Sequence, residues 1–396
     1  MLPLLWLLLA APTPPSSMSA PVDPAFLSLA REVEAALRDG NPAALDARLD
    51  GDQFLQRVTR GLPVSRAFLE ELARDARANG WPLGRRLLGS GGQGLRVRLL
   101  QVRMRGRTPL ALFRVLSDSG LNYLELELGR NGRNEAVIVD LLPFREGERL
   151  GESMWRVFLL AAAERGQCLT RRLRGPERDW VEELPRLRRI ERLLGADQDR
   201  EAVEEMDRLA PRVRGERFIQ RRRLEVLASL DEAEYALGLV AFEKAFPKDP
   251  LLDLFALDNP LLRGDSAAMM AAIDRLDRRV GDPYLHQLRG QVRLDQDDLE
   301  GAKRSFQKVL EAEPALLEPH VELLRLALEE ADHAGAVRLL ESMERQWAGS
   351  LMRVRIEDGP VAKAFLESAE YKGWLERQRA HEARDGGSEV TGPAVP

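Results

Sequence analysis

Cysteine, histidine and lysine are scarce in this chain: one cysteine, four histidines and six lysines in 396 residues. A lone thiol, Cys168, cannot close an internal disulfide. The histidines, His286, His320, His333 and His381, all fall in the last third, so any acid–base site before residue 286 works without imidazole. They are too scattered to form a metal site, and no metal or cofactor is expected. The glycine-rich stretch Ser90-Gly91-Gly92-Gln93-Gly94 lacks the lysine and helix of a phosphate loop. Excess positive charge is missing as well. The formal charge is -5, which argues against a nucleic-acid partner, because gripping phosphates needs a basic face.

Hydrophobic residues at 44% and charged residues at 31% are those of a packed globular chain, and the length predicts two to three domains. Leu4 to Ala11 is an apolar run of eight, far short of the roughly 20 residues that span a bilayer. A Pro/Ser stretch follows, with small Ser17 and Ser19 ahead of Ala20. Residues 1–20 therefore read as a secretory signal peptide, although no basic residue precedes Arg31. Export to a periplasmic or extracellular compartment is expected, with no integral span once the signal is removed. An uncleaved segment tethering the chain to a membrane is the alternative.

From Pro24 to Gly80 apolar residues recur at three- and four-residue steps, as in Phe26, Leu29, Val33 and Leu37, which predicts helices. After Gly80 the period becomes two. Arg96, Arg98, Gln101, Arg103 and Arg105 alternate with Val97, Leu99, Val102 and Met104, with a skip at Leu99-Leu100 that predicts a bulge. Three further strand segments follow, up to Val137–Leu142, and then a helix at Met154–Glu164. Residues 21–166 thus form an α+β domain of helices packed on a curved antiparallel sheet. This order, with the strand run from Asn122 to Phe144, resembles the cone-shaped domains of the nuclear transport factor two and cystatin-like superfamily. The resemblance implies a ligand pocket in the cone, a homodimer through the sheet, or cofactor-free cyclase or isomerase chemistry, with Asp140 or Tyr123 as the groups to carry it.

Between Asp75 and Asp118 there is no acid and there are nine arginines. Arg96, Arg98, Arg103 and Arg105 in one strand could grip an anion bidentately, or simply pair with Glu125 and Glu127 across the sheet.

Residues 167–177 read as a linker. Beyond it the spacing is helical only, and Ala268, Ala302 and Ala336 recur at one fixed interval. Around Gly290 the pattern is fullest, with Ala302, Phe306 and Pro314; Leu340 takes the place of Phe306 in the next unit. A small residue lets two helices cross closely, a bulky one fills the gap a turn later, and proline ends the pair. This resembles a tetratricopeptide repeat array, clearest over 249–348, with looser helix pairs at 180–212 and 215–247. The resemblance implies a right-handed all-α superhelix over 178–380, closed by a capping helix at Pro360–Gln378. It also implies a groove lined by Gln287, Gln291, Val321 and Arg325 that holds a protein or peptide. The tail 381–396 is too polar to pack. Charge divides with the architecture: residues 21–166 carry net +3 and the remainder net -8. The expected function is a non-catalytic, exported interaction scaffold, with small-ligand or cyclase-type activity in the cone as the alternative.

Overall fold

The computed structural model describes residues 22–81, 95–117, 120–169, 172–247, 249–258, 265–347 and 360–385. The expected signal segment, the glycine-rich stretch at 90–94 and the last eleven residues lie outside them. The chain divides at Leu251/Leu252 into two compact units.

The first unit begins with α1 (Pro24–Arg38), α2 (Pro42–Asp46), α3 (Gly51–Thr59) and α4 (Arg66–Asn79). Asp23, Asn41, Asp50 and Ser65 each cap the helix that follows through a side-chain oxygen. The sheet is an antiparallel meander in chain order: β1 (Arg96–Arg105), β2 (Thr108–Ser117), β3 (Gly120–Arg130) and β4 (Ala136–Pro143). The expected irregularity in β1 is present between Leu99 and Gln101, and Glu34 of α1 accepts the Leu99 N–H there at 2.8 Å. At the opposite edge β4 is closed off by the chain before α3, where Ile138 donates to Arg48 O and accepts from Asp50 N.

One sheet face packs on α1. Phe26, Leu29, Val33 and Leu37 meet Ala111, Phe113, Leu124, Leu126 and Ile138. The helix α5 (Leu150–Glu164) then returns against α3.

The segment expected as a linker does not separate two bodies. Leu169 N donates to Pro63 O and Ser65 N to Gln167 O, and Val64 and Cys168 form a β-bridge. Phe54, Val58, Phe68, Phe158 and Leu159 of the α+β part share one core with Trp180, Ile190, Val203, Met206 and Leu227 of the helices beyond. A stretch with polar sequence is tied down here by backbone hydrogen bonds, which no apolar period announces.

Those helices are α6 (Gly175–Glu182), α7 (Leu184–Leu194), α8 (Asp199–Asp207), α9 (Pro211–Arg214), α10 (Arg217–Leu230) and α11 (Glu232–Ala245). The helices α7/α8 and α10/α11 occupy the stretches read as looser pairs at 180–212 and 215–247; Ala202 is fully buried on α8, and Glu234 of α11 takes Arg200 of α8. After α12 (Pro250–Asp258), the second unit contains α13 (Ser266–Val280), α14 (Leu285–Leu294), α15 (Leu299–Ala312), α16 (Leu317–Glu329), α17 (His333–Gln346), α18 (Pro360–Glu367) and α19 (Ala369–Asp385).

The helix pairs share a device. Asp231, Asp265, Asp298 and Asp332 cap α11, α13, α15 and α17, each accepting the N–H three residues on at 2.8–2.9 Å. These aspartates recur at nearly the same interval as the alanines, so the caps keep the repeat period too. Of the residues expected to pack the pairs, Ala302, Phe306 and Ala336 are fully buried, while Ala268 and Leu340 are half-buried. Pro314 sits in the turn between α15 and α16.

The capping segment is two helices rather than one. Ser368 breaks it, donating to Phe365 O and accepting from Tyr371 N. Phe365 is fully buried in a cluster with Tyr371 and Trp374. The helix α19 continues to Asp385, into the stretch expected as loose tail.

Candidate partner-binding face

The arginine strand is committed within the fold. On the sheet face away from α1, β1–β4 bring Arg103, Leu110, Glu127 and Asp140 into one cross-strand row. Arg103 and Arg105 reach over β2 to Glu125, at 3.4 and 3.6 Å. Leu110 and Leu112 are buried on this face, which suits the long apolar stems of arginines laid across them.

Arg149, just before α5, completes the set at 2.9 Å from Glu125 and 3.4 Å from Glu127. Arg57 of α3 holds Glu127 and Asp140. The residues nominated to grip an anion, Arg96, Arg98, Arg103 and Arg105, thus lie on a strand where at least Arg103 and Arg105 already face a buried carboxylate. Arg96 and Arg98 hold contacts of their own.

Asp140 and Tyr123, nominated for chemistry in the cone, are both buried. The Asp140 carboxylate accepts N–H groups from Leu141 at 2.8 Å and Gly151 at 3.1 Å. Gly151 stands in the first turn of α5, a helix with no side-chain cap of its own, so Asp140 caps it from the sheet. Burial pushes the Asp140 carboxyl above its ordinary range, against the pull of these donors and of Arg57 and Arg149. Arg57 moves upward too: burial opposes its charge, but Glu127 and Asp140 outweigh it. The two directions are compatible because the main partner of Arg57 is Glu127. Burial also raises the Cys168 thiol, whose Sγ lies 3.6 Å from Leu159 O.

In the second unit, three of the four nominated groove residues share a surface and one does not. Gln291 of α14 donates to Glu322 of α16 at 2.9 Å. Arg325 donates to Glu322 at 3.3 Å and to Glu329 at 2.6 Å. Val321, one turn before Arg325, is 39% exposed, and Leu317, a turn earlier still, is 41% exposed. The first helices of neighbouring pairs are thereby joined by side chains, with an apolar step beside the polar row. Gln287 is buried instead, and its Oε1 has no hydrogen-bond partner. Sequence reasoning missed Glu322, the carboxylate that links the two helices; its distance from Gln291 along the chain falls short of the interval at which the alanines recur. His320, one of the four scattered histidines, is buried.

The cavities lie elsewhere. One of about 590 Å³ lies among α15, α16 and α17, with Leu310, Leu323, Ala327 and Leu339 in its lining. Another of about 600 Å³ in the first unit is walled by Leu160, Trp180, Leu187, Ile190 and Phe218. Among the described residues no group of three or more His, Cys, Asp or Glu side chains could hold a metal ion, and no helix is long and apolar enough to cross a membrane. No family model, curated protein or solved structure matches the chain.

Proposed function

We propose that this chain is a non-catalytic interaction scaffold, exported from the cytoplasm, that holds a protein or peptide segment along the first helices of a tetratricopeptide-like array stacked into a right-handed superhelix. The observation that carries this reading is the joined row of Gln291, Glu322 and Arg325 beside exposed Leu317 and Val321. Mixed polar groups next to apolar steps on neighbouring helices suit an extended segment, whose backbone seeks hydrogen bonds and whose side chains seek apolar contact.

The recurring aspartate caps and the Gly290–Phe306 contact support the array. Ligand or cyclase-type chemistry in the sheet domain has less behind it, because Asp140 and Tyr123 are buried and Asp140 is spent on capping α5. Affinity capture from an envelope extract with the full chain, beside the Val321→Glu/Arg325→Glu double variant, tests the proposal. Proteins retained by the parent and lost by the folded variant support it; identical retention by both removes it.

A further inference from the structure

His320 lies on α16, about a quarter turn around the helix from the face formed by Leu317, Val321 and Arg325, and is 2% exposed. Its Nδ1 is 2.8 Å from Leu316 O, so that nitrogen carries the hydrogen and donates. Its Nε2, 3.4 Å from Ser342 Oγ on α17, is then the acceptor of the hydroxyl. The Trp347 ring closes the site edge-on, with centroids 5.3 Å apart. A neutral imidazole satisfies all of these contacts at once.

We propose that His320 is an acid-sensitive latch of the last helix pair: a proton on the imidazole opens α16 from α17 and loosens the face that α16 presents. The titratable and charged side chains on the helices packed against α16 are Glu300, Lys303, Arg304, Lys308 and Glu311 of α15, His333, Arg338, Glu341, Glu344 and Arg345 of α17 and Lys363 and Glu367 of α18, with Glu313 before α16 and Glu318, Glu322, Arg325 and Glu329 on α16 itself. Several of these charges are engaged with partners of their own. Glu322 is held by Gln291 and Arg325, Lys303 by Glu300 and Glu330, Glu341 by Arg377, and Arg338 faces Asp332.

A charge arriving on His320 meets a carbonyl, a hydroxyl and an indole in a buried site, and it is expensive to keep there. Burial already holds the imidazole below its ordinary range, despite the Leu316 carbonyl. The sign follows: folding favours the neutral ring, so its stabilisation is complete above the ordinary histidine range and is lost as pH falls through it.

Opening of the pair stands on this geometry alone. Only its consequence, release of a bound segment, rests on the scaffold reading. The test is hydrogen exchange by mass spectrometry on the full chain at pH 7.5 and 5.5, corrected for the intrinsic pH dependence of exchange. The result expected is at least about fivefold faster opening in peptides from 317–346 at the lower pH. His320→Phe, which keeps a buried ring without a titrating group, abolishes the effect, while His286→Phe keeps it.

Should His320→Phe fail to fold, an NMR titration of the parent decides. A His320 ring that takes its proton well below the free-histidine range, together with the exchange response, supports the latch. Equal exchange at the two pH values, an acid response retained in His320→Phe, or a ring that titrates like free histidine overturns it. None of these readouts needs a partner, so failure of the latch and failure of the scaffold reading are told apart.

Discussion

The ring of Phe306 lies so close over Gly290 that a Cβ at residue 290 would stand 2.3 Å from its Cε1. Both residues are buried, on α14 and α15. Alanine improves helix propensity over glycine by about 1 kcal/mol, but overfilling a closed core costs about 1–3 kcal/mol. With a ring that has no room to retreat, the second effect wins. Gly290→Ala should lower the stability of the full chain in chemical denaturation, and Gly290→Val should lower it further. A neutral Gly290→Ala would mean that the two helices do not cross closely.

The aspartate caps make a separable prediction. A Cβ on Gly301 would fall 1.9 Å from Asp298 Oδ2, and one on Gly335 would fall 2.0 Å from Asp332 Oδ2, yet the same cap is made over Ala268 by Asp265 and over Glu234 by Asp231, so a small turn of the carboxylate makes room. Asp298→Ala and Asp332→Ala should each cost about 1 kcal/mol and add in combination. Gly301→Ala should keep the cap, as Ala268 does for Asp265, and so should cost far less than Asp298→Ala. A double-mutant cycle by denaturant titration checks both statements.

Asp140 gives a pH dependence with a definite sign. Its carboxyl is raised by burial, so the folded state holds the proton more tightly than the unfolded state, and stability from this group is lost as pH rises through its folded value. Asp140→Asn carries no such loss. Relative to the parent, the variant should therefore gain stability between pH 4.5 and 7.5, as measured by the difference in denaturation midpoints. A relative loss over that range would show that the ionised carboxylate, bound to Arg57 and the start of α5, is favoured instead.

Glu125 and its arginines should respond unequally. Glu125 is 3% exposed and faces Arg103, Arg105 and Arg149, so Glu125→Gln should destabilise by about 2 kcal/mol, the loss of a buried charge-assisted acceptor while Arg149 keeps Glu127 at 3.4 Å. Arg103→Gln or Arg105→Gln should cost under about 1 kcal/mol, since those groups are 38% and 59% exposed. Thermal unfolding of the three variants separates this structural role from anion gripping, which predicts that sulfate stabilises the parent more than the arginine variants.

The edge strand β1 was readable because its side chains alternate, and even the skip at Leu99-Leu100 marked the bulge, whereas β2 and β4, buried on both faces, show as nearly continuous apolar runs. The helix pairs around Gly290 were readable because close crossing leaves only small side chains a place. What escaped detection depends on contacts far apart in sequence. Nothing near Arg57 says that it meets Glu127 and Asp140, and nothing near Gln167 says that it pairs with Ser65. The weaker pairs before residue 249 hide their alanine, but Asp231, one repeat interval before Asp265, marks the start of α11. Gln287 was misplaced because period alone sets its helical face, whereas neighbouring side chains set its burial.

The face on α14 and α16 is the centre of this account, and a photo-crosslinking amino acid placed at Val321 in the full-length chain in living cells tests it most directly. The account predicts a discrete crosslinked protein from Val321, and from Leu317 beside it, but none from Arg304 on α15. Equal crosslinking from all three positions, or none from Val321 and Leu317 while the chain is folded, would contradict it.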